Sequence, residues 1–151
     1  MKITKFEDLA IWKLSLKITK SIYDITAKKE FFKDFSLVSQ LRRAIVAVSS
    51  NIVEGFEKNN NNEFARYLRI AKGSAGEVRN QLYICREISY VTENEFNQIN
   101  EELIQLANQL GGFIYYLVKK KENNEFTSKK TTRHPLTLPV GRQVVNQIIK
   151  N

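Results

Sequence analysis

Cysteine, histidine, proline and glycine are all scarce in this chain: one Cys, one His, two Pro and six Gly among 151 residues. A single Cys cannot build a disulfide framework. Gly and Pro together, 8 of 151 residues, are too few and too irregularly spaced to punctuate a run of short strands or to form a collagen-like repeat. Long apolar runs are missing as well. The longest, Ala44–Val48 and Phe113–Val118, have five and six residues, where a membrane span needs about 20. Lys13 and Lys17 interrupt what would have to be the apolar region of a signal peptide. With a lone Cys85 and no export signal, the expectation is a cytoplasmic protein with no membrane association.

Groups for acid-base, nucleophilic or metal chemistry are equally thin. The one histidine, His134, lies in a polar C-terminal stretch where nothing predicts a rigid partner for it, so it reads as a surface residue. Cys85 falls in an apolar row and reads as a small packed hydrophobe. The Glu-x-x-His pairs typical of metal sites in helical bundles do not occur. Lys72-Gly73-Ser74-Ala75-Gly76 has glycines near a Lys and a Ser, but the order departs from a phosphate-binding loop and the segment lies inside a helical pattern. No enzyme, no metal and no cofactor is expected.

What the chain does have is 42% hydrophobic residues, enough for one core, and an excess of positive charge, 24 Lys+Arg against 16 Asp+Glu for a net +8. Residues 1–121 hold 19 basic and 14 acidic side chains, and residues 122–151 hold 5 and 2. Apolar spacing of 3 and 4 predicts four helices and an all-α, up-down-up-down antiparallel four-helix bundle over residues 1–121.

The first predicted helix runs from about Phe6 to Thr26, with Leu9, Trp12, Leu16 and Tyr23 beside Ile11, Ile18, Ile22 and Ile25. The second covers about Leu37 to Glu57, capped by Ser36, with the row Leu41, Ile45, Val48 and Ile52. The third covers about Glu63 to Ser89 with Phe64, Leu68, Ala71, Ala75, Val78, Leu82 and Cys85. Thr92-Glu93-Asn94-Glu95 matches a capping box. It opens the fourth, whose row Phe96, Ile99, Leu103, Leu106, Leu110, Phe113 and Leu117 ends near Lys121. Residues 122–151 contain both prolines, Pro135 and Pro139, and are expected to form a basic disordered tail with a short apolar piece at Val144–Ile149.

Three features exceed what a plain bundle needs. Gly73 and Gly76 sit mid-helix, where each costs about 1 kcal/mol relative to Ala, which suggests close approach of another helix. The second helix carries an extra row of small and polar residues, Gln40, Ala44, Ala47, Asn51, Glu54 and Lys58. The third has a matching flank, Tyr67, Ile70, Ser74, Glu77, Gln81 and Ile84. These rows read either as semi-exposed faces or as a subunit interface specified by Ala47, Asn51, Glu54, Gly73, Ser74 and Glu77. Finally, Lys72, Arg79 and Arg86 recur every seven residues within a ~40° arc at about 100° per residue, extended by Arg69. Individually such cations often lie along a seam and pair with neighbouring carboxylates. As a group, beside Tyr83 and supported by Arg42 and Arg43, they form a candidate phosphate-binding ridge.

Phe6-Glu7-Asp8-Leu9-Ala10-Ile11-Trp12, Asn51-Ile52-Val53-Glu54-Gly55, and Ala71-Lys72-Gly73-Ser74 with Glu77 resemble the small bacterial four-helix bundle proteins encoded in intervening sequences of the 23S ribosomal RNA gene. The resemblance covers about residues 6–121. Val53 stands where that pattern more often has Ala, and Phe56-Glu57-Lys58 where an Arg follows the Gly. That family is related to the accessory protein of diversity-generating retroelements, a pentameric barrel of four-helix protomers that binds nucleic acid and a reverse transcriptase. The resemblance therefore implies a non-enzymatic, basic homo-oligomer, a pentamer, with RNA or DNA as partner. A structural or protein-interaction bundle, for example a reverse-transcriptase partner with no direct nucleic-acid role, is the alternative.

Overall fold

The computed structural model describes residues 3–127, with side chains described through Lys120. Among these residues there are four α-helices and no strands: α1 (Ala10–Thr26), α2 (Phe35–Glu57), α3 (Asn61–Glu87) and α4 (Glu93–Thr127), with 3-10 turns at Phe6–Asp8 and Lys29–Phe31. Consecutive helices pack on one another and α1 also packs on α4, closing the expected four-helix bundle.

Helix ends follow local capping chemistry. Thr92 and Glu95 form the capping box, with the Glu95 backbone N–H donating to Thr92 Oγ1 at 3.1 Å and the Thr92 N–H donating to a Glu95 carboxylate oxygen at 2.8 Å. Asn60 Oδ1 accepts from the N–H groups of Asn62 and Glu63, so the asparagine run starts α3 two residues earlier than its apolar row suggests. At α2 the cap is Asp34, which accepts from Leu37 N–H at 3.1 Å, and Ser36 lies inside the first turn. A carboxylate at this position also meets the positive end of the helix dipole, an advantage the Ser hydroxyl lacks.

Helix α3 stops at Glu87 because Ser89 turns left-handed, with φ 60°. The Tyr90 N–H then donates to Cys85 O at 2.8 Å and the Ser89 N–H to Arg86 O at 3.0 Å, the Schellman arrangement. Helix α4 continues through Thr127, six residues past Lys121; neither Gly nor Pro stands between Gly112 and Pro135 to stop it. The expectations for residues 128–151, including His134 and the apolar piece at Val144–Ile149, lie outside the described residues.

The predicted rows of α2, α3 and α4 are buried throughout. The first helix differs. Leu9 is extended and breaks the segment, so the chain enters through a 3-10 turn that sets the Phe6 ring edge-on to Trp12 at 5.2 Å. Ile11, Ile18, Ile22 and Ile25 form its core face, while Leu16 and Tyr23 are exposed. A short helix closing against a longer one needs a single buried stripe, and the isoleucine row supplies it. Cys85 is buried, and burial, with the Asp34 carboxylate adding to it, pushes its thiol up to about 11. It is neutral at physiological pH and packs as a hydrophobe.

Gly55 is the tightest helix contact among the described glycines. A Cβ there would meet Tyr67 Cβ at 2.7 Å and Phe64 Cδ2 at 2.9 Å, so its missing side chain is what lets α2 approach α3. A Cβ on Gly73 or Gly76 would meet nothing within 4 Å. The close approach expected at Gly73 and Gly76 is therefore made at Gly55 instead, and within the protomer those two glycines face open space.

Candidate nucleic-acid interface

The seven-residue spacing of Lys72, Arg79 and Arg86 places them on the flank of α3 that meets α4, and their surroundings change along the helix. Arg86 is half-buried, with its side chain 31% exposed. Its guanidinium lies over the rings of Tyr83 and Phe96, 5.0 and 4.3 Å from their centroids, and within 3.7 and 3.6 Å of the Glu87 and Glu93 carboxylates. Tyr83 in turn packs edge-on to Phe96 at 4.8 Å. One turn-pair earlier, Arg79 Nε donates to Asn100 Oδ1 at 3.2 Å. Both arginines thus tie α3 to the first turns of α4.

Toward the start of α3 these ties end. Arg69 and Lys72 are exposed and make no ion pair or hydrogen bond among the described residues. They border an open groove of about 670 Å³ between α3 and α4, lined by Arg69, Lys72, Gly73, Gly111, Ile114, Tyr115 and Val118. Tyr115 is 62% exposed, and Lys119 Nζ lies 4.9 Å from its ring centroid. The glycines make this groove: a Cβ on Gly111 would meet only Lys72 Nζ, at 3.5 Å.

Arg42 and Arg43 lie elsewhere. Arg42 Nε donates to Thr26 Oγ1 at 2.9 Å and its guanidinium covers the Tyr23 ring at 4.4 Å, so it clips α2 to α1. Arg43 is exposed on the outer face of α2 and has no partner among the described residues.

The pattern of the 23S rRNA-intervening sequence protein family matches residues 7–112. The chain belongs to this family. A crystal structure of a protein of unknown function from the S23 ribosomal protein family of Bacteroides thetaiotaomicron is similar in fold, with a TM-score of 0.64 at 22% identity, covering 69% of this chain and 97% of that one. No curated protein sequence matches the chain.

In this family member Glu54 and Gly55 of the Asn51-Ile52-Val53-Glu54-Gly55 motif serve the α2–α3 contact, and Asn51 bonds within its own helix. Asn51 Nδ2 donates to Ala47 O at 2.7 Å, Tyr67 Oη donates to Glu54 at 2.9 Å, and Gly55 admits Tyr67 and Phe64. Gln81, buried on the facing flank, donates to Glu77 at 3.4 Å and to Gln40 at 3.5 Å. Ala47, Asn51, Glu54, Ser74 and Glu77 thus lie on the α2–α3 side, with Asn51, Glu54 and Glu77 engaged inside the protomer, whereas Gly73 lies in the α3–α4 groove. Val46, Ile70 and Ile84, on the outer sides of the same helices, are each more than 40% exposed.

Sequence reasoning did not single out Gly111, Ile114, Tyr115 or Val118. The Gly111-Gly112 pair inside a long helical pattern was the available signal. Among the described residues no three His, Cys, Asp or Glu side chains gather as metal ligands, and no helix is long and apolar enough to cross a membrane.

Proposed function

We propose that the protein is a non-enzymatic, homo-oligomeric RNA- or DNA-binding accessory protein, encoded with a 23S rRNA intervening sequence or a similar element and acting in the cytoplasm. The observation that carries this reading is the pair Arg69 and Lys72, two cations on one flank with no acidic partner among the described residues, in a chain of net charge +8. Arg79 and Arg86, first in line on sequence grounds, support the ridge from a half-buried position, so Arg69, Lys72 and Arg43 carry more of the phosphate contact. The exposed Val46, Ile70 and Ile84 beside Ala47 and Ser74 supply an apolar surface for assembly; five subunits is what the resemblance implies. Assembly repeats the ridge and raises avidity.

Fluorescence anisotropy with labelled RNA, both single-stranded and duplex, tests this. A complex making six to ten phosphate contacts loses about 10³- to 10⁵-fold in affinity between ~50 and ~200 mM salt. R69E with K72E should weaken binding more than R79E with R86E, and both pairs should elute as oligomers. Monomer mass in light scattering at micromolar concentration, or no binding at low salt, refutes the reading. The internal engagement of Arg79 and Arg86 favours the second reading, a protein-interaction bundle such as a reverse-transcriptase partner. That reading is adopted if nucleic acid fails to bind.

A further inference from the structure

The groove between α3 and α4 is built in a way that packing does not explain. Two glycines on facing helices border it, Gly73 and Gly111, and each costs its helix about 1 kcal/mol relative to Ala. Neither is forced by a neighbour, since a Cβ on Gly73 touches nothing within 4 Å and one on Gly111 makes only an ordinary contact with Lys72 Nζ at 3.5 Å. The helix pair therefore carries a stability cost that leaves space open. The space has two unlike sides. Arg69 and Lys72 offer positive charge with no partner among the described residues, while Ile114, Val118 and the broad face of Tyr115 offer apolar and aromatic surface. Lys119 sets a further cation beside the Tyr115 ring. A volume of about 670 Å³ lies within the range of roughly 300–1,000 Å³ usual for small-ligand sites.

We propose that this groove takes an unpaired nucleotide of a single-stranded segment, its phosphates on Arg69 and Lys72 and its base stacked on Tyr115. The proposal rests on the nucleic-acid reading above and deepens it. A duplex satisfies the two cations but keeps its bases stacked on each other, leaving the apolar side of the groove unused. An unpaired base has a free π-face for Tyr115 and apolar edges for Ile114 and Val118. Stacking of this kind tolerates any base, so the site prefers strandedness rather than sequence.

The test compares anisotropy of the full chain with a labelled mixed-sequence RNA 20-mer, single-stranded and as duplex, at low salt. Y115A should weaken the single strand about tenfold and the duplex less than about twofold, with Y115F near wild type because stacking needs the ring and not the hydroxyl. G111L, which fills the groove, should give the same selective loss. Far-UV circular dichroism confirms the fold of each variant, and the exposure of Tyr115 makes its loss harmless to the core. If wild type binds duplex but not single strand, or if Y115A or G111L affects both forms equally or neither, the groove proposal is overturned while the nucleic-acid reading stands. If wild type binds neither form, both fall.

Discussion

The two ends of the α3–α4 pair are built on opposite plans. At the turn end, Arg86 is held between two carboxylates and two aromatic rings, Arg79 reaches Asn100, and Lys28 pairs with Glu95 at 2.8 Å. At the far end, Arg69 and Lys72 have no such partners among the described residues, and Gly73 and Gly111 border the groove. The same residue types thus do different work on one helix pair. A cation near the turn contributes to the fold, and one turn-pair toward the helix start it is left exposed to solvent. What separates the two cases is whether the facing helix brings an acid or a ring within reach.

The sharpest way to break this comparison is through the glycines. Gly55→Ala should cost about 1–3 kcal/mol, because its Cβ would sit 2.7 Å from Tyr67 Cβ and the helices would have to part. Gly73→Ala and Gly111→Ala should instead raise stability, each by up to about 1 kcal/mol, since Ala favours the helix and nothing is displaced. Denaturant unfolding measures all three. Loss of stability at Gly73 or Gly111 similar to that at Gly55 would mean that the groove end is a packing contact after all.

Next in size is the arginine contrast. Arg86→Ala should lower stability by about 1 kcal/mol, most of it from its ring contacts, since both its carboxylate partners are exposed. Arg69→Ala and Lys72→Ala should stay within about 0.5 kcal/mol of wild type. Equal effects at the three positions in thermal melts would remove the distinction between a tied and a free end.

How far these differences could be read from the sequence depended on how local their causes are. The Thr92–Glu95 capping box was legible because both partners lie within four residues. The rows of α2, α3 and α4 were legible because burial repeats with the helix period. The cap of α2 was misplaced from Asp34 to Ser36 because either side chain can accept from a first-turn N–H, and only the backbone decides which one stands at the boundary. The break at Leu9 was missed since an apolar residue in a helical pattern carries no stop signal. The ridge on α3 could be placed by angle alone, but its division into tied and free halves needs Glu93, Phe96, Asn100 and Gly111, all on another helix. Likewise a glycine in a helix is visible in the sequence, whereas the distance from Gly55 to Tyr67 exists only once α2 and α3 have met.

The smallest expected effect concerns pH and the turn end alone. Burial by itself would push the Glu95 carboxyl up, but the Lys28 ammonium and the Thr92 N–H and hydroxyl outweigh it and hold the group below its ordinary value of 4.5. A carboxyl lowered by folding stabilises fully above its unfolded value, and that contribution is lost as pH falls through the lowered folded value. Stability should therefore be flat with respect to this group at neutral pH and decline below about pH 4.5. Glu95→Gln should flatten that acid limb while costing from a few tenths to about 1 kcal/mol at neutral pH, the range for a partly exposed ion pair joined to a helix cap. Lys28→Met removes the ammonium but leaves the capping box, so its acid limb should fall between those of wild type and Glu95→Gln. Urea midpoints followed from pH 7 to pH 3 read all three curves. An acid limb identical in wild type and Glu95→Gln would show that the Lys28–Glu95 pair does not help hold the turn end closed.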